Sequence, residues 1–106
     1  MSTYKAPKAT GKASRALNVL LTHAKANAAL FGERERQNRQ GVRRCQSTLE
    51  RRHLEHDERL RYENSLQINE RAAARDADAA AQWQAIVDQI EDAKAQWVQP
   101  ALEFAA

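Results

Sequence analysis

Between Val42 and Gln99 the chain contains neither glycine nor proline. A stretch of that length without a breaker, rich in Ala, Arg, Gln, Glu and Leu and poor in β-branched residues, predicts helix and excludes a β fold. A helix of about 50 residues is roughly 75 Å long at about 1.5 Å per residue, longer than a small globule is wide. It can bury an apolar stripe only by folding back, by pairing with another copy, or by lying on a larger partner.

The densest such stripe is Trp83, Ile86, Val87, Ile90, Ala93 and Trp97, whose i, i+3, i+4, i+7 spacing gathers it on one helix face; Asp88, Gln89, Glu91, Asp92 and Gln96 fall elsewhere. Upstream, Tyr62, Leu66, Asn69, Ala73 and Ala80 join Trp83, Val87, Ile90 and Trp97 in an alternating four and three spacing, coiled-coil-like if Asp76 and Lys94 are tolerated in the seam. The small residues of Ala72 to Ala81 mark a place where two helices can approach closely. A separate, sparser stripe runs through Val42, Cys45, Leu49, His53, His56 and Leu60. Leu60 projects about 140° around the axis from Trp83, so the two halves either face different neighbours or are parted by a break near Asn64 to Asn69. Ser47 and Glu50 also have the form of a capping box, which would start a helix at 47.

Residues 1–12 mix Lys, Ser, Thr, Pro7 and Gly11 without periodicity and read as a flexible basic arm. Ser14 then suits a helix cap, and Ala13, Leu17, Leu20, Leu21, Ala24, Ala28 and Phe31 make the apolar face of an amphipathic helix over 13–31, with Gly32 as its stop. The wholly polar 32–41 reads as a connector, either an exposed linker helix or a loop between helices, with 42–99 as the long helix and 100–106 as a tail begun by Pro100. The expected architecture is therefore all-α: a short amphipathic helix plus a long helix, kinked or straight, arranged as a helical hairpin or a coiled-coil-like pair and completed by oligomerisation or a partner.

The net charge of +3 conceals a gradient: +5 over residues 1–32, +3 over 33–61 and −5 over 62–106. A basic head and an acidic tail point to head-to-tail self-association or to two different partners. The single cysteine, Cys45, has no internal disulfide partner and agrees with a reducing compartment. There is no run of about 18 apolar residues to span a bilayer and no secretory h-region, and the late first acid, Glu33, gives only a faint look of an organellar presequence. A cytoplasmic or virion-associated location is expected.

No phosphate loop, nucleophile elbow or paired-cysteine motif occurs, so catalysis, cofactors and a small-molecule substrate are not expected. Glu50, His53, His56 and Cys45 have helical metal-ligand spacing, but no second such set is present and Arg51, Arg52, Arg59 and Arg61 would repel a cation. No metal site is expected. Instead the composition points to a non-enzymatic structural or assembly protein, a homo-oligomer or a subunit of a larger particle such as a virion. It would touch its neighbours through Trp83, Ile86, Val87, Ile90 and Trp97, and through Leu17, Leu20, Leu21 and Phe31. A nucleic-acid-associated protein is the first alternative, using Lys5, Lys8, Lys12, Arg15, Arg43 and Arg44 to neutralise phosphates, although acids interleave the arginine-rich middle. An inhibitor or adaptor laying its Trp-lined face on a host protein is the second. Peripheral membrane contact through 13–31 is weaker still, since few cations flank that apolar face.

Overall fold

A computed structural model describes residues 11–51 and 53–105, the last nine of these by backbone only. Two helices, α1 (Gly11–Leu49) and α2 (His56–Ala105), lie side by side as an extended hairpin. They run antiparallel, because the facing partners climb on one helix as they descend on the other: Asn18 meets Lys94, Lys25 meets Glu91, and Asn38 meets Asp76. The molecule measures 77 × 24 × 14 Å. Its Cα radius of gyration is 22.9 Å, against about 13 Å for a compact domain of this length.

Of the three ways to bury the stripe, folding back is the one realised. Along α1 the buried and half-buried positions step alternately by three and four from Ser14 through Leu17, Leu21, Ala24, Ala28 and Phe31, and on through Glu35, Asn38, Val42 and Cys45 to Leu49. Along α2 the matching positions are Leu66, Asn69, Ala73, Asp76, Ala80, Trp83, Val87, Ile90 and Lys94. This is the four and three spacing read from the sequence, with Asp76 and Lys94 inside it. The wholly buried members are small or few: Ala24, Cys45, Ala73, Val87 and Ile90.

Several expected boundaries are overturned. Gly32 does not stop α1, and of the two forms open to the polar 32–41 segment it takes the helical one, continuous with the turns before and after it rather than joining two separate helices. A mid-helix glycine costs only about 1 kcal/mol relative to alanine, less than the packing gained when Glu35, Asn38, Val42 and Cys45 continue the seam. Gly41 has a second use, since a Cβ there would meet the Asn69 side chain at 3.0 Å; its absence lets the helices close at this level. Nor does α2 begin at 42 or 47, or break at 64–69. The chain reverses at 50–55, where no glycine or proline marks it. The reversal is made by backbone bonds from Glu50 N–H to Gln46 and from Arg51 N–H to Thr48, and by the Arg59 guanidinium, which donates to the Leu49 carbonyl at 3.3 Å and caps the end of α1. Glu55 accepts the first helical bond of α2, and Asp57 and Glu58 in its first turn suit the positive end of the helix dipole. Pro100, expected to end α2, lies within it, costing one intrahelical hydrogen bond without stopping the helix.

The two internal glycines make a paired test. Nothing lies within 4 Å of a Cβ built at Gly32. Gly32→Ala should therefore raise unfolding free energy by about 1 kcal/mol in urea melts followed by circular dichroism. Gly41→Leu should lower it, because its side chain must displace Asn69 from the seam.

Candidate functional site

The hairpin decides which apolar residues remain available. Val87 and Ile90 are buried against α1, while Trp83 is half-buried with its ring edge-on to His23 at a centroid distance of 5.5 Å. Leu17, Leu21 and Phe31 are half-buried in the same seam. The stripes assigned to neighbours from the sequence are thus largely spent on each other. Leu20 and Ile86 alone among those residues are exposed, at 54% and 39%, and the side chain of Trp97 lies outside the described residues. Leu30, Leu60 and Ile68, which the sequence reading had not singled out as contacts, are also exposed.

A slab of two helices has two broad faces, and the seam spacing sorts the remaining residues onto them. One margin of the seam carries Lys25 with Glu91 at 3.6 Å, and Lys94 donating to Asn18. On the same side lie Arg15, Arg36, Arg39 and Arg43 of α1 and Glu63, Glu70 and Asp88 of α2, so this face is charged with both signs. The other margin is marked by Asn69 over Gly41 and by His23 against Trp83. Here α1 presents Leu20, Leu30, Arg34 and Arg44, and α2 presents Arg61, Ile68, Arg75, Ala79 and Ile86. Among the described residues this face carries one acid, Glu58, exposed in the first turn of α2 three residues before Arg61. Its half toward the free ends of the helices is uncharged, with Leu20, Leu30 and Ile86 set among alanines, His23, Asn27 and glutamines, and its half toward the turn holds the arginines.

The basic candidates divide accordingly. Lys5 and Lys8 lie outside the described residues, Lys12 is exposed in the first turn of α1, and Arg15 donates to the Gly11 carbonyl at 3.2 Å. Arg43 belongs to the mixed face and Arg44 to the opposite one. Of the acids that interleave the arginine-rich middle, Glu33 pairs with Arg36, and Glu35 with Arg39 at 2.7 Å, both away from Arg44, whereas Glu58 stands on the Arg44 side. The charge gradient is also partly answered within the chain, because the hairpin sets the basic first third beside the acidic last third.

The stripe drawn through Cys45, His53 and His56 does not exist as a stripe. Cys45 is buried in α1, His53 sits in the turn, and His56 opens α2, both imidazoles being exposed. Among the described residues no group of three or more His, Cys, Asp or Glu is placed to share a metal ion. Four surface hollows among the described residues are each lined by one helix alone, as with Arg15, Val19, Thr22 and His23 on α1, or Ile68, Arg71 and Arg75 on α2. They do not converge side chains from different elements. Among the described residues no helix is long and apolar enough to cross a membrane. The apolar face expected to meet a lipid surface over 13–31 is half-covered by α2, which leaves Val19, Leu20 and Leu30 outward. No protein-family model matches this chain, and comparison with curated proteins and with solved structures finds no match.

These placements predict unequal mutational costs. Ile90→Ala should destabilise the hairpin by about 2–5 kcal/mol in denaturant melts, through lost burial and the cavity left behind. His53→Ala should stay within about 0.5 kcal/mol of the parent, as expected for an exposed turn residue.

Proposed function

We propose that this chain is a non-enzymatic helical assembly protein whose hairpin joins a second copy through the uncharged, free-end half of the face that carries Leu20, Leu30 and Ile86. The observation that supports this reading is that Leu20, Leu30 and Ile86 stay 54%, 45% and 39% exposed on one half-face that carries no charged side chain among the described residues. Only five residues form the buried core of the described chain. Ala16, Ala79 and Ala93 on the same half-face are short enough to allow close approach, and His23, Asn27, Gln82 and Gln89 are its polar positions.

An antiparallel two-fold pairing over this half yields a four-helix arrangement, with the arginine-bearing halves extending to opposite ends and out of each other's reach. The seven-residue repeat of the seam agrees with a coiled-coil reading of each hairpin. A subunit role in a larger particle is the natural extension of the same surface.

Light scattering on the nuclease-treated chain, at low and high salt, tests this directly. The parent should form a salt-resistant dimer or higher oligomer, and Leu20→Glu combined with Ile86→Glu should return it to a monomer with unchanged helicity. A parent that stays monomeric at every concentration overturns self-assembly and leaves an adaptor seated on another protein as the reading to pursue.

A further inference from the structure

The turn-proximal half of the face opposite the mixed-charge one has a chemistry of its own, four arginines with Glu58 as its one acid among the described residues. Arg34, Arg44, Arg61 and Arg75 are all exposed there, two from each helix. Among the described residues none of the four is engaged in an ion pair, in contrast to Arg36, Arg39 and Lys25. Arg34 is held over the Phe31 ring at 5.3 Å, an arrangement that orients its guanidinium and leaves its donors outward. Between the arginines the face offers short or uncharged side chains, Gly41, Ser65 and Ala72, which let a partner's backbone come close.

From these placements we infer that this half-face is a docking surface for the phosphate backbone of duplex nucleic acid. The argument is charge complementarity with matching shape. Arg34 and Arg44 are ten residues apart, about 15 Å along α1, and Arg61 and Arg75 are fourteen apart, about 21 Å along α2, with the helix axes about 8–10 Å apart. Four unpaired cations are therefore laid out as a narrow band rather than a point cluster. A linear polyanion with one charge per about 1.7 Å of axis fits a band, and guanidinium forks suit phosphate oxygens. An anionic bilayer surface fits less well, because Ile68 is the one large exposed aliphatic within this half-face among the described residues, Leu30 standing at its border and Leu60 on the mixed-charge side, and it offers little to insert. This surface does not overlap the proposed self-association half, so either can fail without the other.

Fluorescence anisotropy with a labelled 20-base-pair duplex and the nuclease-treated full chain tests the inference. Four phosphate contacts predict a log–log salt slope of about −3.6, or about a 10²-fold loss of affinity between 50 and 200 mM salt. Arg44→Gln with Arg75→Gln should remove about half of that slope and weaken low-salt binding at least about tenfold. Arg36→Gln with Arg39→Gln, on the opposite face, should leave both unchanged, with circular dichroism melts showing that each variant remains folded. The proposal is overturned by absence of binding at 25 mM salt, by equal losses in the two double variants, or by retention on anionic phospholipid vesicles without retention on duplex.

Discussion

Everything in this structure depends on the seam between α1 and α2, because among the described residues it is the only place where the chain buries apolar surface against itself. Its alternating three and four spacing runs through both helices, from Ser14 to Leu49 and from Leu66 to Lys94. Each burial in it removes a residue from the set available to partners. Trp83, Val87 and Ile90 are drawn inward by Leu17, Leu21, Ala24 and Phe31, and Leu20 and Ile86 remain outside because they stand one step off the seam. Contact surfaces are what the seam leaves over.

The seam is polar in its middle, and that has a physical use. Glu35, Asn38, Asn69 and Asp76 occupy positions that Leu would fill more stably, and Asn38 donates to Asp76 across the interface at 2.7 Å. A slip of one heptad would set Asp76 against Phe31 or Cys45 and strand its carboxylate without a partner. The polar layer thus trades some stability for a single register, as a lone polar seam residue does in paired helices. Lys94 solves the same problem at the free end by reaching out of the seam to Asn18.

Antiparallel packing also sorts charge. In the sequence, Glu33 and Glu35 are two of six acids interleaved with the arginines of 33–61. In the folded hairpin they pair with Arg36 and Arg39, at helical spacings of three and four, on the side away from Arg44. Lys25 meets Glu91 across the seam on the mixed-charge face. A diffuse mixture along the sequence becomes one face with both signs and one whose single acid among the described residues is Glu58, beside the turn.

The sequence by itself determined the secondary-structure class, the α2 seam and the small-residue stretch at 72–81, because side-chain period and the absence of breakers are local properties. It did not reveal the turn at 50–55, which is built from Arg59 capping the end of α1 and from backbone bonds rather than from glycine or proline. A false stripe through His53, His56 and Leu60 continued the spacing of Cys45 and Leu49 past that turn and concealed it. The clue was present in phase: run backward from Leu66, the α2 seam reaches Tyr62 and Arg59, not Leu60. Only the tertiary structure decided that α1 passes through Gly32 and Gly41, since a glycine ends a helix or crosses one according to what the next turn packs against. It alone decided which face each arginine occupies, because that depends on where the opposite helix lies.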